Sequence, residues 1–142
     1  MLDAAKRPAQ IVATSCFSGS FGELVFAGAE PSAGAARTER CGLFAATAER
    51  ESSGCDPNPD RAAQEGFGLH FLHALRGEDR TGARLPAGEI DFDGDGAVSP
   101  LEAHARARIA GAGIDVPTTT SDRWLRAVAP ARLPGITTAS VV

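Results

Sequence analysis

IVATSCFSGS, residues 11–20, sets a short apolar run, Ile11 to Ala13, against a cysteine and a cluster of small residues. A continuous apolar run of this length, closed by a turn-forming segment, is the pattern of a strand buried in a parallel sheet. Cys16 follows where that strand would end, and Gly19 with the flanking serines marks a loop. A strand end feeding a loop of small residues exposes a thiol to whatever approaches the sheet edge. The plainer reading is a buried cysteine acting as a small apolar residue at a strand end.

Working outward, Gly42 to Thr47 (GLFAAT) is a second apolar run of strand length, and it passes into the polar, turn-rich ERESSGCDPNPD, residues 49–60. Between the two runs, Phe21 to Ala27 reads as a helix or strand facing the core, and Ala29 to Arg40 as a mobile loop. Leu2 to Lys6 reads as the end of a helix closed before Pro8. Phe67, Phe71, Leu72 and Leu75 recur at helical spacing, and Gly77 sits where a helix C-cap is wanted. Leu101, Ala105 and Ile109 mark a second helix ending at Gly111. Ser121 or Asp122 is placed to cap a third, carrying Trp124, Leu125 and Val128 and stopped by Pro130. Strands alternating with helices predict an α/β sheet. The chain shows no internal repeat and reads as one domain over residues 1–142, with a short C-terminal extension from 112.

Composition narrows the function classes. The 142 residues are 43% hydrophobic and 23% charged, the balance of a globular chain rather than a disordered one. A net charge of −4 with scattered Lys and Arg argues against nucleic acid as a partner. No apolar run reaches bilayer-spanning length, and MLDAAKRPAQ has no signal-like segment, so the chain reads as cytoplasmic with no membrane partner. Three cysteines, Cys16, Cys41 and Cys55, cannot all pair within the chain; a Cys41–Cys55 bridge fits only an exported protein.

DFDGDGAVSPLE, residues 91–102, matches the twelve-residue EF-hand-type pattern for Ca²⁺. The oxygen-donor positions fall on Asp91, Asp93, Asp95, Ala97 (through its backbone carbonyl), Ser99 and Glu102. Three carboxylates and a bidentate glutamate suit a hard cation that takes six to eight oxygens. Gly96 stands where the loop needs a left-handed backbone, and Val98 is expected to point inward. Ser99, Pro100 and Glu102 also read as a capping box with proline at the first helical position, so the plainer alternative is an acidic turn before a capped helix. Pro86 and Gly88 precede the loop, so no regular entering helix is expected, and the chain has no second loop to pair with it.

The TSCFSGSF segment resembles the nucleophile motif of the caspase, metacaspase and legumain clan of cysteine peptidases, in which a strand ends in Cys-x-Ser-Gly. GLFAATAERESSGC, residues 42–55, is similar to the next core strand and its loop in legumain-type and bacterial caspase-like proteins, and bacterial members often carry a DGDG-type acidic loop before a helix beginning Glu-Ala, here Glu102-Ala103. The likeness spans roughly residues 10–110, with the Cys motif and the acidic loop as its specific parts. It implies a caspase-like (caspase-hemoglobinase) sheet with flanking helices and a cysteine endopeptidase as the parent activity. Cys16 would be the catalytic nucleophile, Ser53 and Gly54 would contribute to the pocket for the residue preceding the cut bond, and a peptide or protein would be the substrate. The clan also requires a His-Gly segment some tens of residues before the cysteine, because the thiolate attacks and the leaving amine needs a proton. Only fifteen residues precede Cys16 and none is histidine. The resemblance therefore implies a domain incomplete at its N-terminus and inactive alone, an inactive relative, or a second chain that supplies the histidine. A non-enzymatic calcium-binding module and a peptide-binding pseudo-peptidase are the competing classes.

His70 and His73 share one helix face and, with Cys41 and Cys55, raise zinc, although their spacing fits no compact zinc pattern. His104 is expected on an exposed helix face. Arg37, Arg40, Arg76, Arg80 and Arg84 read as solvated surface.

Overall fold

The computed structural model describes residues 2–4, 6–53 and 65–129. Three strands form a mixed sheet in the order β1 (Ala9–Ala13), β2 (Arg40–Phe44), β3 (Thr118–Thr119). β1 runs parallel to β2 from Ala9↔Arg40 to Ala13↔Phe44. β3 pairs antiparallel, with Leu43 opposite Thr119 and Phe44 opposite Thr118. Among the described residues three α-helices, α1 (Phe67–Leu75), α2 (Pro100–Ala110) and α3 (Thr120–Val128), complete an α/β fold. Among the described residues no helix is long and apolar enough to cross a membrane.

From Gly42 to Phe44, β2 is buried on both faces because its side chains alternate between two layers. Leu43, with Ala45 just beyond the strand, joins Phe67, Phe71 and Ala74 of α1, Ala103 and Ala107 of α2, and Ile90 in the main cluster; Leu85 and Val98 pack against its rim. Phe44 faces the opposite layer, where a 3-10 segment, Ser18–Val25, packs on α3. There Phe26 lies 5.4 Å from Trp124, and the Arg123 guanidinium sits 5.0 Å from the Phe26 centroid while pairing with Glu23 at 2.6 Å. Gly42 is glycine for a packing reason. The Phe44 ring folds over it, so a Cβ there would meet the ring, with Cε2 at 2.9 Å. The Gly42 N–H donates to Thr120 Oγ1 at 3.0 Å, tying α3 to the central strand.

Several expectations need correction. β1 is an edge strand rather than one covered on both faces: burial alternates along it and Val12 is 46% exposed. Phe21 to Ala27 is helical in the 3-10 form as far as Val25, followed by buried Phe26 in a bridge to Ala35, and Ala29 to Arg40 contains a 3-10 turn, Pro31–Ala33. The N-terminal element is a 3-10 turn, Leu2–Ala4. The third helix is capped by Thr119, whose side chain accepts from the Asp122 N–H, rather than by Ser121 or Asp122. Pro130 lies outside the described residues.

The largest correction concerns His104 on α2, a helix that itself has the expected end at Gly111. Leu101 and Ile109 face solvent, 63% and 68% exposed, while Glu102, Ala103, His104 and Ala107 are buried. Glu102 must turn toward the loop that precedes it, which fixes the helix's rotation and aims its small residues at α1. His104 is thereby inside, its ring edge-on to Phe67 with centroids 5.5 Å apart. Arg40 is also not a surface residue. Its side chain is 4% exposed, donating to Leu24 O at 3.0 Å and to Asp3 at 2.7 Å. Arg80 is paired with Glu65, and Arg37, Arg76 and Arg84 are exposed.

Candidate functional site

Parallel strands carry their following segments to the same end of the sheet, so the residues after β1 and after β2 meet there. Cys16, half-buried, lies three residues beyond β1. Its Sγ accepts from the Ser52 N–H at 3.3 Å and donates to the Ser52 carbonyl at 3.6 Å. Ser52 in turn donates through Oγ to Thr14 O at 3.2 Å. A short strap, Ser52–Ser53, is thus fastened across the thiol.

The Cys-x-Ser-Gly spacing has a local cause. Buried Ser18 accepts the Ala46 N–H through its Oγ at 3.3 Å. Gly19 lies so close to the chain leaving β2 that a Cβ would stand 2.7 Å from Ala46 O and from Ala48 N. Phe17 adopts φ 57°, unusual for a bulky residue, and its N–H donates to Arg50 O at 2.7 Å. These contacts clamp the cysteine loop to the segment that follows β2, so the thiol's position depends on both strands.

Of the two residues implied as substrate contacts, Ser53 is half-buried beside this strap, and Gly54 lies outside the described residues, as does Cys55. Sequence reasoning missed Asp115. One of its carboxylate oxygens accepts the Ser53 N–H and the other the Phe67 N–H, each at 2.5 Å. No motif or periodicity flags a lone Asp in GAGIDVP; its partners are distant in sequence and only the fold brings them together.

Of the expected donor ring, the structure gathers the three aspartates. Oxygens of Asp91, Asp93 and Asp95 lie within 4.8 Å of one another. Asp91 accepts from Gly94 N at 2.8 Å, Asp95 N at 3.1 Å and Gly96 N at 3.0 Å, which folds the chain tightly round it. Gly94 and Gly96 take φ of 74° and 86°, a region that glycine enters without strain. Ala97 donates its N–H to Asp95, and Val98 packs inward. Glu102 stands apart from the triad. One of its oxygens accepts from Phe92 N at 2.6 Å and Asp93 N at 3.3 Å, and the other from Ser99 N at 2.8 Å. Ser99 Oγ returns the bond from Glu102 N at 3.2 Å, so the capping box is formed. Three gathered carboxylates are a hard-oxygen donor set that could hold a metal ion.

The histidines lie on α1 and α2. Burial, with Arg106 nearby, pushes His70 below the usual histidine range, and it bonds Glu65 at 2.8 Å. Burial lowers His104 as well, and among the described residues its Nε2 has no hydrogen-bond partner. His73 Nδ1 lies 3.6 Å from Glu78. Among the described residues, the aspartate triad is the only gathered group of metal-capable side chains, and neither His70 nor His73 shares it with Cys41. No protein-family model, curated protein or solved structure matches the chain.

The hydrogen bonds from Ser99, Phe92 and Asp93 hold the Glu102 carboxyl below the usual glutamate range. A carboxyl depressed in the folded state stabilises the fold above its unfolded pKa, and that contribution disappears as pH falls through the folded value. Urea melts should therefore show stability falling as pH drops below about 4, with Glu102→Gln less stable at neutral pH and flatter across the acid range. An unchanged acid slope in the variant contradicts this assignment.

Proposed function

We propose that this chain is the nucleophile-bearing part of a caspase-like cysteine peptidase domain, with a built-in calcium loop that braces α2. The observation that carries the reading is the convergence of Cys16, Ser18, Gly19 and the Ser52–Ser53 strap at the C-terminal ends of the parallel pair. Open α/β sheets bind ligands at that end. In the proposed chemistry the Cys16 thiol gives its proton to an imidazole, and the thiolate attacks a peptide carbonyl to form a C–S bond. As the C–N bond breaks, the leaving amine takes a proton from an imidazolium. Water then hydrolyses the thioester. Ser53, half-buried next to the thiol's strap, is the proposed contact for the residue preceding the cut bond; Gly54, implied with it, lies outside the described residues.

The imidazole must come from elsewhere, because the chain's three histidines sit among α1 and α2 with partners of their own or inside the core. The proposed partners are a peptide or protein substrate and a polypeptide that supplies the histidine. A peptide-addressed acylating reagent should label Cys16 at least about tenfold faster than exposed Cys41; equal rates remove the peptidase reading.

A second reading, a calcium-binding scaffold without catalysis, is favoured by the aspartate triad. In both readings Asp91, Asp93 and Asp95 would hold Ca²⁺ with the Ala97 carbonyl and Ser99, and Glu102 would join them by exchanging its bonds to the Phe92 and Asp93 N–H groups for the ion, which would supply charge neutralisation and a fixed start for α2. Millimolar calcium should raise the melting temperature, and Asp91→Ala combined with Glu102→Ala should abolish the rise. No rise in the unaltered chain removes the metal from both readings.

A further inference from the structure

We propose that Asp115 is a positioning residue for the thiol: its carboxylate holds the Ser52–Ser53 strap against Cys16 by bracing it on the N-terminus of α1. The first-turn N–H groups of a helix have no partner within it, and here the N-cap is Gly66, which has no side chain to offer. Asp115 takes that role from a distant part of the chain. One oxygen accepts the Phe67 N–H and the other the Ser53 N–H, both at 2.5 Å. An anionic acceptor at a helix N-terminus is favoured by the helix dipole, and bonds to a charged acceptor are the stronger kind.

The segment carrying Asp115 is pressed onto the same two places. A Cβ on Gly113 would stand 2.6 Å from Glu65 O and 3.0 Å from Ser53 Oγ. From Ser53 the path to sulfur is one residue long. Ser52 is 5% exposed, anchored to Thr14, and both its N–H and its carbonyl reach the Cys16 sulfur. When the carboxylate is removed, the Ser53 N–H loses its acceptor, the strap opens more often, and the sulfur is uncovered more often. The functional meaning rests on reading Cys16 as a nucleophile; the positioning itself does not.

The test is alkylation of the whole chain by iodoacetamide, which needs no peptide recognition, with rates read separately at Cys16 and Cys41. Asp115→Ala should raise the Cys16 rate roughly tenfold, the scale of one lost hydrogen bond, and leave Cys41 unchanged. Asp115→Asn keeps one acceptor oxygen and should fall between. Gly113→Ala keeps the carboxylate but crowds Ser53, and should also raise the Cys16 rate. A Cys16 rate within about twofold of the unaltered chain overturns the proposal, as does an equal rise at both cysteines, which marks general loosening. If Asp115→Ala does not fold, Asp115→Asn and Gly113→Ala decide by the same two criteria. A changed ratio without preference for the peptide-addressed reagent keeps Asp115 and removes the peptidase; the reverse result removes Asp115 alone.

Discussion

The parallel pairing of β1 on β2, Ala9↔Arg40 through Ala13↔Phe44, is the constraint on which the rest of the structure depends. Two strands that run the same way end together, so the segments after Ala13 and after Phe44 have to share one end of the sheet. Ser18, Gly19 and the Phe17 N–H then fasten one segment to the other, and the sulfur of Cys16 lies under Ser52 as a result. A shift of one residue would turn Leu43 and Phe44 toward the wrong layers, because strand side chains alternate with a period of two. Burial of β2 on both faces from Gly42 to Phe44 therefore protects the geometry at the thiol.

A second constraint acts at the start of α2. Glu102 accepts from three backbone N–H groups of the loop and its cap, and it can do so only if its side chain faces that loop. The helix's rotation follows. Ala103 and Ala107, four residues apart, then meet α1 and let the two helices approach closely, while Leu101 and Ile109 are left in water. Loop and core are thus coupled through one carboxylate, and anything that strengthens the loop's order also strengthens α2's seat on Phe67 and Phe71.

How much of this could be read from the sequence divides along physical lines. Local patterns translated well. The Phe67–Leu75 stripe is α1 with the bounds its spacing suggested, Gly77 follows it with φ 73°, and the DFDGDG spacing folds into a tight carboxylate turn. Cys16 does sit just past a strand end, beside the loop after the next strand. Features set by distant partners did not translate. The spacing of Leu101, Ala105 and Ile109 marks α2 as a helix but does not tell which face is buried, because apolar spacing cannot register that Glu102 turns toward the loop. Arg40 and His104 looked like surface until Asp3, the Leu24 carbonyl and Phe67 closed around them. Asp115 had no local signature, since its two acceptor bonds join residues 62 and 48 positions away.

Residue-resolved amide hydrogen exchange on the isolated chain tests the strand pairing most directly. In this register Ala9 N–H donates to Glu39 O and Ala45 N–H to Ala13 O, so by the same alternation the amides of Ile11 and Ala13 point at β2 and those of Gln10 and Val12 point away. The account predicts exchange at Ile11 and Ala13 at least about a hundredfold slower than at Gln10 and Val12. Slow exchange at Gln10 and Val12 with fast exchange at Ile11 and Ala13 would mean that β1 lies on β2 in another register, and the thiol would then not lie under Ser52.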